Sequence, residues 1–240
     1  MGRFESDGLS LAFEDEGVGY PLFLMHGFAA DSKSNWGLTG WIRALRRAGY
    51  RVIAADARGH GDSDKPTQAH AFAPENMGGD VLRLMDYLDI PEAVIFGYSM
   101  GGRNAAWLLA TEERRFTAVV LGGVGETLLR AGGDAGAESP AAHSMVPIYE
   151  TVTRTGDTTA ALSACALGSF PCLEAGLFAN VCTPSLVVAG SRDTVAGSPY
   201  PLADAIPGAR AVVVPGRSHL SVLTDSYFKG AVIGFLGDRW

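Results

Sequence analysis

The stretch Val94–Trp107, "VIFGYSMGGRNAAW", decides the fold. An apolar run from Ala93 to Phe96 stops at Gly97, a serine follows at position 99, and small and apolar residues at helical spacing come after it. The run reads as a buried strand and the spacing after it as a helix, so Ser99 stands at a strand-to-helix turn.

A serine at such a turn, flanked two residues away by Gly97 and Gly101, matches the elbow pattern Gly-x-Ser-x-Gly. The elbow holds the serine backbone in a sparsely populated conformation and lifts its side chain clear of the sheet. A Cβ at either glycine would crowd the opposing strand or helix. The helix starting near Met100 aims backbone N–H groups and its positive end at a reacting oxygen.

Working outward, strands and helices alternate. "RFESDGLSLAFEDEG" alternates around an Asp7-Gly8 turn signal and predicts a β-hairpin. "PLFLMHG" and "RVIAADARGHG" read as strands running into polar loops, with a helix between them over "WIRALRRAGY" that ends near Gly49. Met77, Val81, Leu84, Met85 and Leu88 recur at helical spacing behind Pro74. "FTAVVLGG", "PSLVVAG" and "ARAVVVPG" are further strands, and a final helix is expected from about Leu220 to Leu236. Strands apolar on both faces and alternating with helices imply α/β architecture: a mostly parallel, eight-stranded twisted sheet flanked by helices on both faces. The 240 residues fit one domain, 1–240. An insertion of about 125–182 breaks the rhythm, with helical segments expected around Met145–Arg154 and Thr158–Leu167.

A serine hydroxyl attacks only if a base takes its proton. Of the five histidines, His219 in "GRSHL" follows the last strand and so lies at the sheet edge where Ser99 lies. An acid that orients the base should also end a strand between Ser99 and His219. Asp193 in "LVVAGSRDTV" does so, and Glu126 after "AVVLGG" is a second candidate. The order Ser99, Asp193, His219 follows. Two backbone donors would hold the oxyanion: the N–H of Met100, and the N–H of Phe28 in the loop after "PLFLMHG". His26 reads as a loop-shaping side chain that bonds backbone.

Composition bounds the partners. A net charge of −7 argues against nucleic acid or an anionic membrane surface, and no apolar run approaches the ~20 residues of a membrane span. Cys165, Cys172 and Cys182 have no CxxC spacing, so the expectation is buried thiols in a reducing, cytoplasmic setting and no zinc site. The N-terminus has no apolar segment of a secretory signal.

Taken together, "HGF", "DARGHGDSD", "GYSMGG", "GSRDTV" and "GRSHL" resemble the α/β-hydrolase superfamily, in its esterase, C–C hydrolase and haloperoxidase-like branch. The resemblance implies Ser99, Asp193 and His219 as a triad, Phe28 and Met100 as the oxyanion hole, and the insertion as a helical lid. It implies a structural role for Asp56, Arg58 and His60. A serine nucleophile argues against epoxide hydrolase and dehalogenase chemistry, which needs a carboxylate ester intermediate. Arg103, in the first turn after Ser99, opposes the helix dipole, so it either points outward to an acidic partner or approaches a substrate carboxylate.

The expected activity is cleavage of a small-to-medium carboxylic ester, a small-molecule substrate, with no metal or organic cofactor. Phe28, Trp36, Met100, Met145, Tyr149 and Phe170 are the expected pocket lining. The alternatives are a C–C bond hydrolase or cofactor-free perhydrolase, and a ligand-sensing receptor on the same fold. Monomer and homodimer both stay open.

Overall fold

The computed structural model describes residues 1–129, 158–168 and 172–238. The hairpin forms as the Asp7-Gly8 signal predicts. β1 (Gly2–Ser6) pairs antiparallel with β2 (Leu9–Glu16), and Asp7 and Gly8 take φ of 50° and 75°. Two residues of positive φ give the turn whose twist matches the flanking strands.

Six further strands follow: β3 (Tyr20–Met25), β4 (Tyr50–Ala55), β5 (Ala93–Tyr98), β6 (Phe116–Gly122), β7 (Ser185–Gly190) and β8 (Arg210–Val214). They complete an eight-stranded sheet of order β1-β2-β4-β3-β5-β6-β7-β8. β2 is antiparallel to β4, and from β4 to β8 every pairing is parallel. The described helices are α1 (Trp41–Arg47), α2 (Pro74–Tyr87), α3 (Met100–Thr111), α4 (Thr158–Gly168), α5 (Tyr200–Ala205) and α6 (Ser226–Gly237).

Alternation along the strands explains the layers. Phe23, Ile53, Ile95 and Val187 enter one core with residues of α2, α3 and α5, whereas Leu22, Val52, Phe96 and Val188 enter the other with residues of α1 and α6. The central strands β3 to β7 are therefore buried on both faces. This is the physical reason the central strands read as unbroken apolar runs.

The last helix starts later than its hydrophobic pattern predicts. Ser221–Thr224 form a 3₁₀ turn, and extended Asp225 then caps α6 by accepting from Tyr227 N and Phe228 N. Within the insertion, α4 matches the expected helix at Thr158–Leu167. The helix expected at Met145–Arg154 lies outside the described residues. The two roots of the insertion meet at a bridge between Leu129 and Leu173, where Leu173 N donates to Leu128 O at 2.8 Å.

The cysteine expectation needs correction. Cys165 is buried, but Cys172 is partly exposed and Cys182 is exposed. Cys182 stands in the turn before β7, where Glu113 caps the N–H groups of Cys182 and Thr183. No helix of the described residues is long and apolar enough to cross a membrane.

Candidate active site

Ser99 follows β5 directly and has φ 54° and ψ −113°. This strained backbone is held from both sides. Ser99 N donates to Gly122 O at 2.8 Å, and Ser99 O accepts from Arg103 N at 2.9 Å in the first turn of α3. The flanking glycines are sterically required. A Cβ on Gly97 would lie 2.1 Å from Gly101 O, and a Cβ on Gly101 would lie 2.1 Å from Met25 O.

The structure brings the three polar residues together. Ser99 Oγ donates to His219 Nε2 at 2.8 Å. The other ring nitrogen, Nδ1, lies 2.9 Å from Asp193 Oδ2 and 3.0 Å from Oδ1. Asp193 Oδ1 also accepts from Val195 N and Ala196 N, which fixes the carboxylate. The exposures of Ser99, His219 and Asp193 are 7%, 7% and 5%, so the hydrogen-bonded chain is shielded from water. Glu126 stands elsewhere. Its N–H donates to Ser198 O and its carboxylate lies against Gly197.

The loop bearing Phe28 is pinned beside the elbow. Gly101 N donates to His26 O at 3.1 Å, and Gly27 N donates to Asn35 Oδ1 at 3.0 Å. Phe28 and Met100 share one apolar cluster there. Sequence reading missed Asn35, because a polar residue in "DSKSNW" carries no periodic signal of what it holds. His26 shapes the loop as expected: Nδ1 bonds Gly27 O at 2.8 Å, and Nε2 accepts from Ala57 N at 2.9 Å.

The acidic and basic residues of "DARGHGDSD" are structural in their bonding. Asp56 accepts from Ser32 N and Asp62 N. Arg58 grips Asp80 with two bonds of 2.8 and 2.6 Å and donates to Ala71 O. Burial, with His26 alongside, pushes the His60 pKa down to about 3. Burial likewise lowers that of His26.

One expectation is corrected, and one of two alternatives for Arg103 is removed. Trp36 is fully buried in the core, edge-on to Phe96 at 4.8 Å, because the loop after β3 folds back over the sheet and turns the indole inward. Arg103 does not point outward. It is 6% exposed under the root of the insertion, beside Cys172, and burial lowers its pKa to about 10 against the opposing influence of Cys172. Met145, Tyr149 and Phe170 lie outside the described residues.

α4 packs against Met100, the residue after Ser99. Ala161, Leu162, Ala164 and Cys165 pack with Phe28, Phe72, Met77 and Met100, and the sulfurs of Cys165 and Met100 lie 3.7 Å apart. A separate cavity of about 40 Å³ lies behind the elbow, lined by Phe23, Val81, Met100 and Asn104 among others. Ser99 and His219 are not among the residues that line it. Among the described residues no group of three His, Cys, Asp or Glu side chains could hold a metal ion.

With this geometry in place, the comparisons agree on one fold. A family model described as the alpha/beta hydrolase fold matches residues 20–134. The chain belongs to the α/β-hydrolase superfamily. The chain is 27% identical to a hydrolase from Pseudomonas aeruginosa PA01, with 98% of each chain covered and a TM-score of 0.79. It is 26% identical to the enol-lactonase from Burkholderia xenovorans LB400, with 98% of this chain and 100% of that one covered, also at a TM-score of 0.79. An epoxide hydrolase of Caballeronia sordidicola is 35% identical over 114 residues, which is 48% of this chain and 34% of the relative. That match, like others of comparable strength, spans less than half of the relative's own length.

Proposed function

We propose that this α/β-hydrolase cleaves carboxylic esters of small molecules through an acyl-enzyme, with Ser99 as nucleophile, His219 as base and Asp193 as its orienting acid. The observation that carries the reading is the continuous bonding from Ser99 Oγ through the His219 ring to Asp193, at an elbow whose strain presents the serine. His219 takes the Ser99 proton as Oγ attacks the carbonyl carbon. Asp193 holds the Nδ1 proton and stabilises the imidazolium that forms. The backbone N–H groups of Phe28 and Met100 receive the oxyanion. His219 returns the proton to the leaving alcohol, then deprotonates the water that releases the acid. These steps call for no metal and no organic cofactor.

Residues 1–240 act in this reading as one domain, with 125–182 as an insertion whose helix α4 covers the site. The likeness to an enol-lactonase over nearly the whole chain favours a second reading within the same chemistry, because a lactone is a cyclic ester. The likeness to an epoxide hydrolase does not reach the nucleophile: covalent epoxide opening uses a carboxylate, and position 99 is serine.

The test is a panel of p-nitrophenyl esters of rising acyl length, run beside enol-lactones, an epoxide and a vinylogous diketone. Turnover of esters or lactones that vanishes in Ser99→Ala supports the reading. Turnover confined to the epoxide or the diketone overturns it.

A further inference from the structure

The residue between the glycine and the serine of the elbow is Tyr98, the last residue of β5. It is 1% exposed, and it faces the core shared with α6. Its hydroxyl donates to the backbone carbonyl of His219. Its ring lies 5.5 Å from the His219 imidazole at an angle of 40°.

The slot for this ring is made by two successive glycines at the end of β6. A Cβ on Gly122 would lie 2.9 Å from Tyr98 Cδ2, and a Cβ on Gly123 would lie 2.7 Å from Cζ and 2.9 Å from the hydroxyl oxygen. Gly123 also takes φ 63° while its N–H donates to Val188 O. Backbone and side chain are thus both arranged to let a phenol reach the His219 peptide.

His219 stands on the loop after β8. The start of that loop is fastened to the β7 side, where Ser191 N donates to Val214 O and Arg192 N donates to Arg217 O. Those bonds position the loop against the residues that lead to Asp193. They leave open how far the imidazole stands from Ser99, which belongs to a different strand. The Tyr98 hydroxyl supplies a bond from the residue adjacent to Ser99 to the peptide of the base itself.

We propose that Tyr98 is a positioning residue: by holding the His219 carbonyl, its hydroxyl sets the imidazole between Ser99 Oγ and the Asp193 carboxylate. The proposal rests on the reading of Ser99, His219 and Asp193 as the hydrolytic site. Burial, and then the Asp193 charge, push the Tyr98 pKa well above its usual value, so the phenol keeps its proton and stays a donor at every pH at which a histidine base works. Angle and distance between nucleophile and base govern proton transfer in the transition state far more than they govern substrate binding.

The test is Tyr98→Phe, which keeps the ring and removes the hydroxyl. We expect kcat to fall by about 10- to 100-fold with KM within about twofold, because misplacement of about 1 Å carries effects of that size. The rate of Ser99 labelling by a fluorophosphonate should fall in parallel. In the substrate-free protein, the downfield Nδ1 proton signal of His219 should broaden or shift. Restoring a donor with 4-aminophenylalanine at position 98 should recover rate and signal, whereas 4-fluorophenylalanine should not. That pair also serves if Tyr98→Phe does not fold.

Tyr50→Phe is the control, since Tyr50 is a core tyrosine whose hydroxyl reaches Leu236 O at 3.5 Å. It should lower thermal stability and leave kcat alone. A Tyr98→Phe variant that behaves like Tyr50→Phe, losing stability but keeping kcat, labelling rate and the His219 signal, overturns the proposal. If the wild-type protein turns over no ester and takes no label, the hydrolytic reading fails on its own account. The His219 proton signal still decides whether the hydroxyl positions the imidazole.

Discussion

Ser99 Oγ and His219 Nε2 lie 2.8 Å apart although 120 residues separate them in sequence. One stands on the elbow after β5 and the other on the loop after β8, with β6 and β7 between those strands in the sheet. Parallel pairing from β5 to β8 brings the ends of these strands to one edge, where the two loops can meet. Removing the hydroxyl in Ser99→Ala should lower kcat by about 10⁴-fold or more with the fold intact. A fluorophosphonate should modify the wild-type protein at Ser99 and leave the variant unmodified. Labelling at another serine, or activity retained in the variant, counts against Ser99 as nucleophile.

The acid that orients His219 is expected to be Asp193. Both Asp193 oxygens are within 3.0 Å of Nδ1, and one is braced by two backbone N–H groups. Asp193→Asn keeps the shape but puts an N–H donor or a neutral acceptor where the anion stood. A loss of about 10³- to 10⁴-fold in kcat is expected. Glu126→Gln should stay near wild type, since both His219 ring nitrogens already have partners in Ser99 and Asp193. Steady-state kinetics on the two variants, with circular dichroism to check folding, ranks them. The reverse ranking moves the acid to Glu126.

The sheet and the polar cluster were legible because they rest on strong local signals. Buried parallel strands are apolar on both faces, and the elbow glycines are demanded by backbone contacts of about van der Waals closeness or less. What escaped was set by tertiary packing. Trp36 looks the same in a sequence whether its indole faces a pocket or a core, and only the fold-back of its loop over Phe96 decides. The helix dipole alone does not place Arg103, whose buried position is set beside Cys172 at the root of the insertion. The delayed start of α6 did have a signal, Asp225 followed by Tyr227 and Phe228, which the hydrophobic pattern overrode.

The elbow should tolerate no side chain at its glycines. An added Cβ at Gly97 or Gly101 meets backbone oxygen at 2.1 Å, and the strand and helix cannot both move away. Gly97→Ala and Gly101→Ala should each cost more than about 4 kcal/mol, or fail to fold. Gly234→Ala is the contrast. Gly234 lies inside α6 and has nothing within 4 Å of the added Cβ, so it should gain about 0.5–1 kcal/mol. Urea denaturation midpoints test all three, and a mild effect of Gly101→Ala counts against the tight packing of the elbow.

Stability should fall on the acid side of neutrality through two buried histidines that carry no step of the proposed hydrolysis. His26 and His60 lie with ring centroids 5.2 Å apart, and both are buried with lowered pKa values, His60 to about 3. Burial is the main cause in each. Asp31 and Asp56 oppose the shift at His26, while His26 and Lys65 reinforce it at His60. Protonating His26 also sets a second donor against Ala57 N–H. The folded pKa lies below the unfolded one, so the unfolded chain binds more protons as pH drops below about 6.5. Stability is therefore full above that value and lost as pH falls, by up to about 1.4 kcal/mol per unit for each histidine until its own folded pKa is reached, which for His60 is about 3. Denaturation at pH 8 and pH 5.5 should show the loss, and His60→Gln should flatten it. A wild-type protein equally stable at both values refutes the assignment.

Acyl length should be set by α4. This helix lays Ala161, Ala164 and Cys165 on the cluster that holds Phe28 and Met100, the two residues offered for the oxyanion. Ser99 is only 7% exposed, and in the proposed reading of α4 as the cover an acyl chain fits between α4 and the elbow or displaces the helix. Each methylene buried there gains about 0.8 kcal/mol, but only while there is room for it. Short esters should therefore exceed those of about twelve carbons in kcat/KM. Cys165→Ala removes the sulfur that touches Met100 at 3.7 Å, and so should raise the ratio of butyrate to acetate turnover. Cys165→Phe fills the same space and should lower that ratio, with acetate affected least. The two ratios, measured with p-nitrophenyl esters under saturating and limiting substrate, test the position of the helix. A ratio unchanged by both substitutions places the acyl chain elsewhere, and a wild-type preference for long chains removes α4 as the limit.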